Sequence, residues 1–321
     1  MSINLTNPIF HDEDAARAHL EAQRWPNGPV CPHCNETKRL SKMTGKSHRK
    51  GLYQCNNPEC LKPFTVTIKT VMERSKIPLA KWVLGFHLMA ASKKGISSHQ
   101  LHRQLGITYK SAWFLSMRIR EAMGLPTEES GPIGGENKVV ESDETFVGGK
   151  ARNAHKSKPI PKKHAVVTLV ERDGSVRARH VADVTAKSVG KHLEINVDAK
   201  SHLMTDDSNI YITAGRKFAG HSSVNHSAEQ YVRLGGFAHV NTAESFHALI
   251  KRGIYGTFHA VSEHHLQRYV SEAAFKWNTR AKLGFDDGDR ANATIKGAVG
   301  KRLCINSLVS KRSKNLSSEK P

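Results

Sequence analysis

Acidic residues are scarce in this chain. Its 321 residues hold 29 Asp and Glu against 49 Lys and Arg, a formal charge of +20. That deficit leaves polyanions as the fitting partners, nucleic acid first and an anionic membrane surface second. Long hydrophobic runs are also missing. None approaches the roughly 18–20 apolar residues that cross a bilayer, which excludes a membrane-spanning helix on sequence grounds. The opening "MSINLTNPIFHDEDAARAHL" lacks a basic start followed by an apolar stretch, so no secretory signal is expected. The expectation is a cytoplasmic protein, nucleoid-associated through DNA, with its thiols reduced. Aromatics are 7% and apolar residues 38% of the chain, enough for one ordinary core and small satellites. There are only five cysteines, so their spacing carries information.

Patterning divides the chain into segments. Residues 1–28 hold a helical stretch, "HDEDAARAHLEAQR", with acids in its first turn where they suit the helix dipole. Residues 29–70 are turn-rich, with short β-prone pieces such as "GLYQC" and "FTVTI". Residues 71–125 read as three helices, "LAKWVLGFHLMAASKKG", "SSHQLHRQLG" and "ITYKSAWFLSMRIREAMG", the last two at helix-turn-helix spacing. "GLPTEESGPIGG" is a linker by composition. Residues 136–283 then give strands, a hairpin turning at Asp173-Gly174, a helix, the short strand "SHLMTDD" and two further helices over roughly 242–252 and 262–280. That order implies a mixed α/β domain. Residues 284–321 are basic and read as a mobile tail: from 291 on they carry seven Lys or Arg against one Glu.

Cys31-x2-Cys34 and Cys55-x4-Cys60, separated by twenty residues, have the spacing of a four-thiolate Zn²⁺ site. Each pair lies in a turn-rich context, "CPHC" and "CNNPEC", so the arrangement is that of a zinc ribbon. His33 is a spare nitrogen beside them, and Cys304 has no partner in sequence. So small a module buries too little apolar area to fold alone, which makes the zinc structural.

The most unexpected acids lie in "VVESDETFVGGK", where Glu141, Asp143 and Glu144 crowd one strand of a basic protein. Crowded carboxylates are tolerated where a hard cation neutralises them. A second acidic strand end is "LMTDDSNIY", with Asp206 and Asp207. A third acid, Glu244, opens the helix of "HVNTAESFHALIKRG". Lys251 follows two helical turns later, about 20° out of alignment, so it shares the face of Glu244 and can meet a phosphate; His247 lies between them. Three such carboxylates can hold the Mg²⁺ or Mn²⁺ ions that serve a phosphodiester displacement. On a strand of period two, Glu141 shares the face of Asp143 and Glu144 points away. Glu141 is then either a solvated acid at the strand start or a group supporting the site.

The pieces "RWPNGPVCPHC", "FTVTIKTVMERSKIPLAKW", "ESDETFVGGK", "MTDDSNIY", "VNTAESFHALIKRGIYGTFH" and "HHLQRYVSEAAFKWNTR", in this order over roughly residues 8–283, resemble the ISXO-like zinc-ribbon group of bacterial insertion-sequence transposases, within the DDE superfamily. The resemblance implies an RNase H-like catalytic domain, preceded by a zinc ribbon and a helix-turn-helix-like region. It implies Asp143 as first catalytic acid and Asp206 rather than Asp207 as second, because the family's acid directly follows the Thr. For the third it leaves Glu244 or Asn241. A carboxylate offsets Mg²⁺ charge better than an amide, and Glu244 aligns with Lys251, so Glu244 is preferred. The implied activity is DNA transposition in a homodimer or larger synaptic assembly. The alternatives are a DNA-binding regulator descended from a transposase and a structure-selective RNase H-like nuclease.

The loop "KARNAHKSKPIPKK" supplies Lys150, Arg152, Lys156, Lys158, Lys162 and Lys163 without an acid; with Lys251 and Arg252 these are the expected phosphate contacts. The aromatics of "RGIYGTFH" fit core packing better than base stacking. If roughly six phosphates are neutralised, the log–log salt dependence of DNA affinity has a slope near about −5, and each lost contact flattens it by about one unit. Fluorescence anisotropy across a salt series measures this, and a slope near zero rejects a polyanion partner.

Overall fold

A computed structural model describes residues 4–124, 131–149, 162–224 and 237–304. The chain forms two compact units: Met1–Gly124 together with Phe285–Pro321, and Leu125–Gly284.

The first unit begins with α1 (Glu13–Arg24), whose N-cap Asp12 accepts from Ala15 N. A small antiparallel sheet follows, β1 (Leu40–Lys42), β2 (Tyr53–Cys55) and β3 (Pro63–Phe64) in that order. Most of the β-prone "FTVTI" is turn, with only Phe64 in a strand. Next come α2 (Leu79–Ala91), α3 (Ser98–Leu105) and α4 (Tyr109–Met123). Ser97 caps α3, Gly106 takes φ +57° to end it, and Thr108 caps α4. Two capped helices joined through a left-handed glycine match the helix, short turn, helix order expected from sequence. Leu101, Leu105, Ala112 and Leu115 are buried, while Tyr109 and Lys110 at the start of α4 are exposed.

The basic tail expected from residue 284 is corrected by the structure. Asp287–Lys296 is a helix, capped by a reciprocal box between Asp286 and Asp289, and it packs against α1, α2 and α4 of the first unit. Its buried Ala291, Thr294 and Ile295 lie at helical spacing; small and polar residues hid that stripe behind the surrounding charge. Just beyond it, a Cβ on Gly297 would stand 2.4 Å from the Ala122 carbonyl oxygen, so only glycine allows this approach. Residues 305–321 lie outside the described residues, as do 125–130 of the composition-based linker. The N-terminal helix, the ribbon and the three helices, separate segments by sequence, are parts of one compact unit.

The second unit is built on β4 (Val139–Val147), β5 (His164–Glu171), β6 (Val176–Val181), β7 (His202–Asp206) and β8 (Gly220–Val224), in the order β6-β5-β4-β7-β8. The first three are antiparallel; β7 and β8 run parallel to β4. This is the mixed RNase H-like sheet that the resemblance implies. The β5–β6 hairpin turns at Asp173 (φ +60°) and Gly174, as expected. On one face, α7 (Asn241–Gly253) and α8 (Glu263–Asn278) cover Val166, Val170 and Val176 with Phe246, Ile250, Leu266 and Val270. On the other, α5 (Ala186–Asn196) sets Val189 and Leu193 against Val167, Leu169 and Leu203. The period-two alternation of β5 therefore feeds two cores. A four-residue helix, α6 (Ile212–Gly215), follows β7.

Within α5, His192 is 7% exposed. Burial, and then the charges of Arg179 and Arg177, push its imidazole down from 6.5 to about 4. The unfolded chain therefore takes up a proton near pH 6.5 that the folded unit refuses. Stability is unaffected above that pH and falls as the pH drops from 6.5 toward 4, by about 2 kcal/mol at pH 5. Chemical denaturation of the second unit in the full-length protein at pH 7.5 and 5 measures this. His192→Gln should remove that share of the loss, and an unchanged pH dependence in the variant rejects the assignment.

Candidate active site and metal centre

β4 lies at the centre of the sheet, and its sequence brings three acids into three different settings. Glu141 is fully buried. Its carboxylate accepts from Thr242 N at 2.8 Å, Ala243 N at 3.0 Å, Thr242 Oγ1 at 2.9 Å and Arg172 Nε at 2.7 Å. The N-cap position of α7 is Val240, which offers no side-chain cap, so an acid from the neighbouring strand does that work. Arg172 also donates to the carbonyls of Phe237 at 2.8 Å and His239 at 2.9 Å. Glu141 is therefore not a solvated strand-start acid; of the two readings from sequence, the supporting role fits.

Asp143, on the same face, lies 3.4 Å from Nδ1 of His247. That imidazole is buried, and its Nε2 has no hydrogen-bond partner among the described residues. The β4–β7 register sets Glu141 beside Met204; continued two residues, it sets Asp206 beside Asp143. Oxygens of Asp143, Glu144 and Asp206 lie within 4.8 Å of one another. The sequence directed Glu144 away from Asp143, and alternation does put it on the opposite face. Its carboxylate nevertheless joins the group. The paired register of β4 and β7 ends at Glu141 and Met204, so Asp143, Glu144 and Asp206 all lie beyond it.

Glu144 accepts from the buried Tyr211 hydroxyl, which itself accepts from Ser142 Oγ at 3.1 Å. Burial first, then the charges of Asp206 and Asp143, push the Glu144 carboxyl up to about 7, against the opposing Tyr211 hydrogen bond. Burial and the neighbouring Glu144 hold the Tyr211 phenol well above its ordinary value. Three carboxylates this close and this strained electrostatically suit a divalent cation. Asp207 is exposed and outside the group.

The structure does not bring Glu244 into this cluster. Glu244, like Asn241, is exposed on the first turn of α7, one turn before His247. Lys251 and Arg252 are exposed in the last turn of the helix. A π-helical turn, Ile254–Phe258, follows. There Ile254 is buried and Phe258 packs edge-on to Tyr269 at 4.7 Å, as the packing reading expects. Tyr255 instead is 42% exposed and donates to the Gly148 carbonyl at 3.1 Å. Lys162 and Lys163 are exposed; Lys150, Arg152, Lys156 and Lys158 lie outside the described residues.

In the first unit, sulfurs of Cys31, Cys34, Cys55 and Cys60 lie within 4.8 Å of one another. Cys31 and Cys60 are 3.8 Å apart, Cys34 and Cys55 3.6 Å. A tetrahedron with Zn–S bonds of about 2.3 Å has edges of about 3.8 Å, so the quartet fits zinc. Each pair ends in a left-handed residue, Asn35 at φ +62° and Leu61 at φ +47°, which gives the two halves the same turn. His33 and Cys304 are outside the quartet.

A five-stranded sheet in this order, with acids on β4 and at the end of β7, defines the class: an RNase H-like domain of the DDE type. Family models agree, an ISXO2-like transposase domain over residues 134–278 and a transposase zinc-ribbon domain over 11–62. Together they cover more than half of the chain, which belongs to the ISXO2-like transposases with a zinc ribbon. The comparison with curated proteins finds no match.

Sequence reasoning missed Arg172, Tyr211 and the reach of Glu144. For Arg172 the signal was present but weak: a cation opening the hairpin turn of the strand that pairs with β4. Glu141→Ala should destabilise the catalytic unit by about 3–5 kcal/mol, because it strands a desolvated guanidinium. Pairing it with Arg172→Met should cost clearly less than the two single changes added together. Additive losses in urea denaturation would show that the two side chains do not depend on each other.

Proposed function

We propose that this transposase cuts DNA at the ends of its insertion sequence and joins the freed 3′-hydroxyl to target DNA. The observation that carries this reading is the carboxylate group of Asp143, Glu144 and Asp206 within a DDE transposase domain. Asp143 and Asp206 are the catalytic acids and hold Mg²⁺ or Mn²⁺. The bound ions supply activation of the attacking oxygen and neutralisation of the charge on the leaving one. Glu244 is the third catalytic acid, delivered from α7. His247 holds Asp143 in place, which is supported by their 3.4 Å separation. Lys251 and Arg252, exposed on the same helix, meet phosphates of the element end, as do Lys162 and Lys163. The ribbon and the α3–α4 helix-turn-helix bind the terminal repeats, with Tyr109 and Lys110 exposed for that contact. Two or more copies hold the paired ends, and the reaction takes place on nucleoid DNA in the cytoplasm.

Strand transfer on an oligonucleotide carrying the element's end, with Mg²⁺, tests the reading. Joined products support it; cuts without joining indicate a nuclease, and no product indicates a regulator. Asp143→Asn, Asp206→Asn and Glu244→Gln should each abolish product while DNA binding persists. Asn241→Ala should reduce activity by less. If Asn241→Ala is inactive and Glu244→Gln cuts normally, the third ligand is Asn241.

A further inference from the structure

Away from the carboxylate group, two histidines and a glutamate converge on the same sheet face. His164 opens β5 and pairs with Val147, four residues along β4 from Asp143, a distance of about 14 Å along the strand. His180 lies on β6, where it pairs with Val166. His164, two residues before Val166, projects from the same face. Glu263, the first residue of α8, is set over them. One nitrogen of each imidazole and one oxygen of Glu263 lie within 4.8 Å of one another. His164 Nδ1 is 3.6 Å and His180 Nε2 4.0 Å from Glu263 Oε1, both longer than hydrogen bonds. The two imidazoles are largely buried, at 15% and 18% side-chain exposure, whereas Glu263 is 47% exposed, so the group opens to solvent on the carboxylate side.

The arrangement is held by contacts outside it. One turn along α8, the Gln267 side chain accepts from the His180 backbone N–H at 2.8 Å and donates to the Ala178 carbonyl at 3.2 Å. Those bonds fix the first turns of α8 on β6, and with them the position of Glu263. In a tetrahedral site with metal–nitrogen bonds of about 2.0–2.1 Å, neighbouring ligand atoms stand about 3.3 Å apart. The two separations from Glu263 need to close by less than about an ångström, and that between the imidazole nitrogens, within 4.8 Å, by about 1.5 Å or less, through side-chain rotation. Lys162, 3.9 Å from Glu263 and 72% exposed, can swing clear.

We propose that His164, His180 and Glu263 form a second metal site, which takes a late first-row divalent ion such as Zn²⁺ or Ni²⁺. Two imidazoles and one carboxylate select such ions over Mg²⁺, which prefers an all-oxygen shell. Water completes the coordination. The ion joins the start of α8 to strands β5 and β6, and so clasps the helix that covers the α7 side of the catalytic sheet.

The test is calorimetric titration of the full-length, zinc-loaded protein with Ni²⁺, in excess Mg²⁺ so that the Asp143 group is occupied. One equivalent should bind in addition to the ribbon zinc, with a rise in the melting temperature of the catalytic unit. His164→Ala and His180→Ala should each lose both effects, and Glu263→Gln should weaken binding. Metal analysis should still find the ribbon zinc in every variant. If an alanine variant fails to fold, the His164→Gln and His180→Gln pair, which keeps polar side chains at both positions, decides the matter. No uptake by the wild type, or uptake that survives loss of both histidines, overturns the proposal.

Discussion

The carboxylate of Glu141 is the interaction on which the catalytic unit depends. A buried charge costs several kcal/mol unless it is paired and its lone pairs are filled. Here a guanidinium, a hydroxyl and two backbone N–H groups fill them. The two N–H groups belong to the first turn of α7, where the helix dipole adds to the attraction. One side chain thus fixes where α7 begins relative to β4. The helix then runs alongside the strand, reaching Asp143 through His247; past its end, Gly148 is met by Tyr255. Shifting the start of the helix would move every one of these contacts.

Around Asp143 the electrostatics run the other way. Glu141 is neutralised by the protein itself, whereas Asp143, Glu144 and Asp206 crowd together beyond the paired stretch of β4 and β7, and burial first, then the two aspartates, push Glu144 up to about 7. One strand therefore carries a carboxylate that holds the fold and two others that crowd with Asp206. The Ser142–Tyr211–Glu144 hydrogen-bond chain restrains the third member from the opposite face of the sheet.

The zinc ribbon shows the same use of charge in place of apolar burial. Its sheet is three short strands, too small to stabilise itself. The thiolate quartet ties one end. At the other, Tyr53 and Phe64 meet Trp25 edge-on. Arg24, at the end of α1, donates to the carbonyls of Val66 and Ile68. The ribbon is thereby continuous with the helices of the first unit.

Much of this was legible in sequence because it depends on local chemistry. Cysteine spacing specifies a tetrahedron, and Asp173-Gly174 a hairpin. The order of strands and helices, with the family motifs, fixed the fold class and directed attention to Asp143 and Asp206. What remained hidden depends on distance through space. Period two states which face Glu144 leaves by, but not that its carboxylate ends beside those of Asp143 and Asp206. Charge composition marked residues 284–321 as a tail, because the buried face of the Asp287–Lys296 helix exists only against α1, α2 and α4. Glu141 looked like one acid too many. Only the folded chain brings Arg172 and the bare start of α7 to it, and a buried charge is stable only with its partners in place.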